Sequence, residues 1–280
     1  MKKLPNFLII GAQKAGTTTL HNALSQHPEV YMPKNKELNF YIKEQLFKKG
    51  IESYKAMFNP TNEIAIGEAS PGYMCHPLVP KRIFESNKNV KLICVLRNPV
   101  DRAYSQYWDN KRHLTETESF KNTFSKYSHY HQYESGKIGY FTRGFYADYL
   151  ERYYNYFPKE NILILKSEDL RNDFEESLIK CYKFLGLSDL KFKVTKVNSN
   201  ESYIYNNILY KLFFNYSFIN RIIPYKIKKF SFFGNTSKFS YPHMDRNMRN
   251  ELTSYYLKHN EKLEDLTNLN LSNWKLKNDN

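Results

Sequence analysis

Between residues 7 and 20 the chain reads FLIIGAQKAGTTTL. The run from Phe7 to Ile10 is short and apolar, as in a buried strand, and it ends at Gly11. From Thr17 onward the apolar residues recur with helical spacing, and Pro28 marks the end of that pattern. These residues therefore predict a strand, a glycine-containing loop and a helix in direct succession.

Strand and helix patterns continue to alternate along the chain. Apolar runs of strand type occupy residues 64–66, 90–96 and 161–165, and helical spacing occupies residues 99–112, 145–157 and 174–185. A nearly continuous Val/Ile/Leu run is typical of a strand that is buried on both faces of a parallel sheet. The alternation predicts an α/β fold, in which residues 1–280 form a single domain around a central, mainly parallel sheet flanked by helices.

Two segments depart from this alternation. Residues 113–142 are polar and rich in Tyr, Ser and Lys, which predicts a long excursion over one edge of the sheet. Residues 202–244 contain no Asp or Glu but six Lys or Arg and thirteen Phe or Tyr. This composition predicts an insertion, for which three roles are open: a lid over a bound ligand, contact with a membrane surface, or internal packing.

The overall composition is that of a folded, basic protein. Of 280 residues, 41% are hydrophobic, and 42 Lys and Arg against 28 Asp and Glu give a net charge of +14. This excess indicates an anionic partner but does not distinguish nucleic acid, lipid, nucleotide and acidic polysaccharide. No signal-peptide pattern and no membrane-spanning run is present in the sequence, so we expect a cytoplasmic protein. Three widely spaced cysteines indicate neither a disulfide framework nor a zinc site.

The loop between the first strand and the first helix carries the clearest chemical signal. Backbone N–H groups at a helix N-terminus bind anions, and this loop has the two glycines of a phosphate-binding loop, Gly11 and Gly16, at the usual spacing. Thr17 stands where a triphosphate-binding loop has lysine, and the lysine lies inside the loop as Lys14. Because a sulfuryl group carries less charge than a phosphoryl group and can be transferred without a metal, the altered loop indicates an altered substrate.

The chain resembles the sulfotransferases that depend on 3′-phosphoadenosine 5′-phosphosulfate (PAPS), particularly the heparan-sulfate type and its bacterial relatives. Residues 7–20 are similar to the 5′-phosphosulfate loop of that family, and residues 91–108, KLICVLRNPVDRAYSQYW, to its 3′-phosphate segment. Shorter matches lie at residues 36–41, 50–58, 68–73, 143–146, 184–187 and 271–274. The resemblance implies a P-loop-type fold and PAPS as the sulfuryl donor, with no metal required.

The same resemblance implies roles for particular residues in holding the donor. Lys14 would contact the sulfuryl group and the bridging oxygen, where charge develops on the leaving phosphate. The 5′-phosphosulfate would be held by Lys14, Ala15, Gly16, Thr17 and Thr18, and the 3′-phosphate by Arg97 and Ser105. A third, basic cofactor loop of the family is expected to begin near Asn198 and Ser199.

On the acceptor side, the resemblance implies that Glu37 is the general base. Heparan-type members carry a glutamate in a similar KExxFF-like phrase, where it takes the proton from an acceptor hydroxyl or amine. This chain has Asn39 where some of those relatives have histidine. The residues expected to bind a saccharide or glycan acceptor are Lys36, Ser70, Tyr73 and Arg143.

Three functional hypotheses follow from the sequence. The first is a PAPS-dependent sulfotransferase that acts on a carbohydrate. In this hypothesis we expect no specific nucleic-acid partner, and contact with a membrane through residues 202–244 stays open. The second is a P-loop phosphotransferase, which Thr17 at the lysine position disfavours. The third is a non-enzymatic protein that binds RNA or another polyanion, which the net charge and the aromatic, basic segment would suit.

Overall fold

A computed structural model describes residues 3–129, 139–188, 194–195, 202–232 and 234–276. The chain forms two compact units, each made of two stretches of sequence. The first unit combines residues 1–98 with residues 146–199, and the second combines residues 99–145 with residues 200–280. The expected start of a third cofactor loop, Asn198 and Ser199, lies outside the described residues.

The first unit is built on five parallel strands in the order β2-β3-β1-β4-β5. Their bounds are β1 Phe7–Gly11, β2 Val30–Tyr31, β3 Ala65–Ala69, β4 Lys91–Leu96 and β5 Ile162–Lys166. Its helices are α1 Thr17–Leu24, α2 Glu44–Phe47, α3 Ile51–Lys55, α4 Val79–Ser86, α7 Tyr146–Tyr154, α8 Ser167–Asn172 and α9 Phe174–Leu185. β1, β3 and nearly all of β4 are buried, as expected for strands covered on both faces.

The second unit is mainly helical. Its helices are α5 Pro99–Arg112, α6 Phe120–Tyr127, α10 Ile208–Asn215, α11 Ser217–Ile222, α12 Tyr225–Lys228 and α13 Arg246–Thr267. Two short strands, β6 Ser202–Tyr205 and β7 Thr236–Phe239, form an antiparallel pair. One core lies between α5, α6 and α13, and a second is centred on Leu114, Tyr210 and Phe213.

The α/β fold with a parallel sheet, predicted from the sequence, is confirmed. The two-residue strand β2 was not predicted. The strand predicted at residues 64–66 is β3, which begins at Ala65 and continues to Ala69. The polar segment at residues 113–142 contains the helix α6, whose N-cap Ser119 accepts a hydrogen bond from the Asn122 N–H. Across the described residues, no helix combines the length and the apolar character needed to cross a membrane.

Candidate active site

The candidate site of the first unit lies at the carboxyl ends of its parallel strands. The chain passes from β1 into the loop that contains Lys14, from β3 to Ser70 and from β4 to Arg97. In a parallel sheet these ends share one edge, which is where open α/β folds bind their ligands. The sheet order places β1 between β3 and β4, so the loop after β1 has these two strand ends as neighbours.

The two glycines of the loop are required for different reasons. Gly16 precedes α1 with φ of 101°, a conformation that residues with a Cβ rarely adopt. At Gly11 an added Cβ would lie 2.6 Å from the Cβ of Met74. Gly16 therefore sets the turn into α1, and Gly11 allows the backbone to approach its neighbour closely.

The N-terminus of α1 is suited to an anion. No side chain caps it, and its first turn contains no acidic residue. The first N–H groups of a helix have no partner within the helix, and the helix dipole places partial positive charge there. Thr17 and Thr18 add two hydroxyl groups at this end.

A second lysine joins this helix end. Lys36 Nζ donates hydrogen bonds to Thr18 Oγ1 at 2.6 Å and to Thr17 Oγ1 at 3.2 Å. Burial lowers the pKa of Lys36 to about 8; the Glu37 carboxylate opposes this shift, and the positive charge of Lys14 adds to it. The structure thus places Lys36 at the loop predicted to hold the donor, together with Lys14.

Arg97 is tied to the same loop. Its Nη1 donates to the Lys14 carbonyl at 3.0 Å, and its own carbonyl accepts from the Tyr146 hydroxyl at 2.8 Å. The next N–H, that of Asn98, donates to Glu168 Oε1 at 3.1 Å. For the Arg97 guanidinium, the described part of the chain offers no second protein partner, so its remaining N–H groups are available to a ligand.

Glu37 lies in a turn that is anchored to the end of β3. The Glu37 N–H donates to the Ala69 carbonyl at 2.9 Å, and the Asn39 N–H donates to Ser70 Oγ at 3.0 Å. Asn39 Nδ2 also donates to the Glu37 carbonyl at 2.8 Å. The Glu37 side chain is exposed, so a carboxylate is presented from a backbone that is held in place.

Glu68, a residue to which sequence reasoning assigned no role, organises the interior beneath this turn. Its carboxylate accepts hydrogen bonds from Tyr73 at 2.6 Å, Tyr54 at 2.7 Å and Ser70 at 2.8 Å. Burial raises the pKa of the Glu68 carboxyl, and the hydrogen bonds from these three hydroxyls and from the Leu38 backbone oppose that shift. Since Ser70 and Tyr73 are both 0% exposed and bonded to Glu68, they support the turn from within.

Backbone conformation sets this region apart as well. Five residues other than glycine are found at positive φ within the described ranges, and three of them belong to the site: Lys14 at 67°, Glu37 at 61° and Asn39 at 55°. Such conformations are uncommon for residues with a Cβ and concentrate at functional sites. Sequence reasoning did not indicate them, because none of the three is glycine and only Asn39 is of a type enriched at positive φ.

Two further predicted site residues belong to the second unit. Ser105 is half-buried in α5, two turns from its first residue. Arg143 is half-buried in the 3₁₀ turn Thr142–Gly144, where Gly144 packs closely on Pro99 and Tyr256. Their proposed roles therefore depend on the sequence motifs rather than on contacts in the first unit.

The side chains of the first-unit site form a set that fits a phosphosulfate group. Two lysines, an arginine, two threonine hydroxyls and a helix N-terminus all favour an anion. A group of three or more His, Cys, Asp or Glu side chains suited to a metal ion is absent from the residues that the structure describes. Independence from metal stays a prediction.

Residues 4–267 match the sulfotransferase domain family, so the chain belongs to this family. It is 28% identical over 281 residues to the human bifunctional heparan sulfate N-deacetylase/N-sulfotransferase 3, a match that covers 94% of this chain and 30% of that protein. It is 31% identical over 200 residues to the mouse heparan sulfate glucosamine 3-O-sulfotransferase 5, covering 67% of this chain and 55% of that protein. The chain thus spans only part of the length of these curated relatives.

A solved structure gives the same result. The crystal structure of a sulfotransferase from Alicyclobacillus acidocaldarius matches with a TM-score of 0.73 and 26% sequence identity, over 97% of this chain and 99% of that one. The predicted family and the predicted enzyme class, sulfotransferase, are therefore confirmed. Membership of the family implies PAPS as the donor.

Proposed function

We propose that the chain transfers a sulfuryl group from PAPS to a hydroxyl, or an amine, of a carbohydrate or glycan acceptor. The observation that supports this most directly is the set of cationic and hydroxyl groups at the N-terminus of α1, next to the turn that presents Glu37. The family match extends over residues 4–267 and so includes parts of both units. We propose accordingly that residues 1–280 act as one functional module.

Contacts in the first unit support the residues proposed to bind the 5′ end of the donor. The N–H groups of Gly16, Thr17 and Thr18, with the two threonine hydroxyls, would hold the 5′-phosphosulfate. Ala15 would shape the same loop, since its N–H donates to the Ala12 carbonyl at 3.3 Å. PAPS, when bound, supplies a sulfuryl group whose bond to the 5′-phosphate oxygen breaks as its bond to the acceptor forms. Lys14 would offset the negative charge that develops on that phosphate oxygen.

Lys36 is assigned to the donor rather than to the acceptor. Its ammonium already bonds the Thr17 and Thr18 hydroxyls, and these hydroxyls are expected to hold the phosphosulfate. A second cation there would add to the charge that Lys14 supplies. Arg97 and Ser105 are proposed to hold the 3′-phosphate, in the case of Ser105 on the sequence motif alone.

Glu37 is proposed as the general base. It would accept the proton of the acceptor hydroxyl or amine while the acceptor atom bonds to sulfur. We propose that Ser70 and Tyr73, through Glu68, position the Glu37 turn instead of contacting the acceptor. On the basis of the sequence resemblance, Arg143 is proposed to bind an acidic group of the acceptor.

A carbohydrate acceptor is supported by the relatives. The two curated proteins named above are both heparan sulfate sulfotransferases by name. The phrase at residues 36–41 resembles the glutamate phrase of that type.

Titration calorimetry without magnesium tests the donor site, using adenosine 3′,5′-bisphosphate with ADP and GTP as controls. Selective binding of the bisphosphate is expected. Labelled PAPS is then offered with unsulfated uronic-acid polysaccharides, with amino-sugar polymers and with a simple phenol. Label in the polysaccharides but not in the phenol is the expected result.

A variant of the loop lysine and a matched control variant test whether the donor site is needed for transfer. Lys14→Ala should lower transfer by on the order of a hundred-fold or more, as the loss of a charge-stabilising donor does elsewhere. Lys34→Ala, at an exposed lysine outside the loop, should leave transfer unchanged. Binding of a triphosphate that requires magnesium, in place of the bisphosphate, would support the phosphotransferase hypothesis instead.

A further inference from the structure

The helices α10 to α12 expose an unusual density of apolar side chains. Fourteen large hydrophobic side chains are exposed among the described residues, and eight of them lie between residues 208 and 230. The eight are Ile208, Leu209, Tyr216, Phe218, Ile222, Tyr225, Ile227 and Phe230. Single exposed apolar residues are ordinary, but a concentration of this kind marks an interaction surface. We call these eight residues the apolar surface.

Buried side chains alternate with those of the apolar surface along the same helices. Tyr210 and Phe213 of α10 are buried in the core that also contains Leu114. In α11, Asn220 is buried, whereas Phe218 and Ile222 on the other side of the helix are exposed. Internal packing therefore accounts for the buried side chains of this segment but not for the eight of the apolar surface.

Positive charge accompanies the apolar surface. Residues 202–244 contain six Lys or Arg and no Asp or Glu. Lys211, Lys226 and Lys229 are exposed, and in the described part of the chain no carboxylate pairs with any of the three. An occupant of this surface must therefore tolerate both hydrocarbon contact and a field that attracts anions.

We propose that the apolar surface docks on an anionic lipid bilayer, with its side chains in the interfacial region and the lysines at the headgroups. Four of the eight side chains are Ile or Leu and two are Phe, exposed at 83% for Ile208, 74% for Phe218 and 70% for Phe230. Aliphatic side chains gain by leaving water for hydrocarbon, whereas sugars and bases are bound by aromatic stacking with polar neighbours. Apolar side chains beside unpaired lysines are what interfacial helices present to anionic membranes.

The membrane contact is independent of the sulfotransferase proposal, because none of its residues belongs to the donor or base site. It is tested by co-sedimentation of the full chain with vesicles of phosphatidylcholine alone or with roughly one-third phosphatidylglycerol. We expect binding to the anionic vesicles and little to the neutral ones. Higher salt should weaken the binding to anionic vesicles without abolishing it, because salt screens the lysines but not the burial of apolar side chains.

Two pairs of double variants identify the surface. Phe218→Ser with Phe230→Ser should lower the partition coefficient by about ten-fold or more, because both side chains lose hydrocarbon contact. Ile64→Ser with Leu78→Ser, at exposed apolar residues of the first unit, should leave it unchanged. Lys226→Gln with Lys229→Gln should lower binding to anionic vesicles by about five-fold or more, and Lys43→Gln with Lys49→Gln should not.

Several outcomes would overturn the membrane contact. One is the absence of binding to anionic vesicles, and another is equal binding by the Phe218 and Phe230 double variant, with thermal unfolding confirming that it is folded. A dimer that this variant abolishes, without vesicle binding, would assign the surface to a second copy of the chain. Binding of an acidic polysaccharide that depends on Phe218 and Phe230, while vesicles do not bind, would assign it to the acceptor.

Discussion

Lys36 should make anion binding at the candidate site depend on pH. Its ammonium bonds the hydroxyls of Thr17 and Thr18, and burial is the main cause that lowers its pKa to about 8. An anion at the N-terminus of α1 would favour the charged lysine. The affinity for adenosine 3′,5′-bisphosphate should therefore fall as the pH rises through about 8 and Lys36 loses its proton.

The size of the effect follows from the titration. With the pKa of Lys36 near 8, its charged fraction falls from about nine-tenths at about pH 7 to about one-tenth at about pH 9. Apparent affinity scales with the fraction of protein in the binding-competent form. If the bound anion keeps Lys36 charged, the affinity should decrease about ten-fold, which is about 1.4 kcal/mol.

Titration calorimetry between about pH 7 and pH 9 measures this decrease. The second pKa of a phosphate group is about 6, so the ligand itself is almost fully ionised over this range. Lys36→Met should bind more weakly at neutral pH and show little further loss at high pH. Lys34→Met is the matched control, since Lys34 is exposed in the same segment, and it should keep the profile of the unaltered protein. A full ten-fold decrease in Lys36→Met would refute the assignment.

Three further substitutions test the rest of the site and the sheet. Glu37→Gln should reduce transfer by about a hundred-fold or more and leave bisphosphate binding unchanged; losses of both in parallel would show a structural role. Arg97→Ala should weaken the bisphosphate far more than adenosine 5′-monophosphate, and equal losses would contradict its role at the 3′-phosphate. Gly67→Ala would place a Cβ 2.2 Å from the Phe7 ring, so urea unfolding should show a loss of about 3 kcal/mol, and an unchanged midpoint would contradict the packing.

The helices and strands that the sequence predicts correctly are those determined by interactions between residues close together in the chain. Residues 7–24 form β1, the loop and α1 because apolar periodicity and glycine spacing act within a few residues. The strand β3 was foreseen only in part, since Gly67 and Glu68 interrupt its apolar pattern. In the fold Gly67 makes room for the paired Phe7 ring, and Glu68 receives three hydroxyl donors. Neither compensation is visible in the segment itself.

Some residues of the candidate site could likewise be predicted from nearby sequence, whereas others depend on contacts between distant segments. Lys14 and Glu37 could be selected from their motifs, but the position of Lys36 could not, because its contacts with Thr17 and Thr18 join residues 18 or 19 positions apart. The positive φ of Glu37 depends on the bonds from its turn to Ala69 and Ser70 at the end of β3. Such conformations arise when the surrounding structure determines them.

One short turn is thus proposed to serve both the donor and the acceptor. Lys36 reaches the α1 N-terminus, where charge on a leaving phosphate would develop, and the next residue, Glu37, presents the carboxylate proposed to take the acceptor proton. Because the two residues are consecutive and the turn is fixed to the end of β3, the same backbone anchors both side chains. Near-attack geometry is sensitive to displacements of about 1 Å, so we expect the buried hydrogen bonds of Glu68, Ser70 and Tyr73 to support transfer by holding this turn in place.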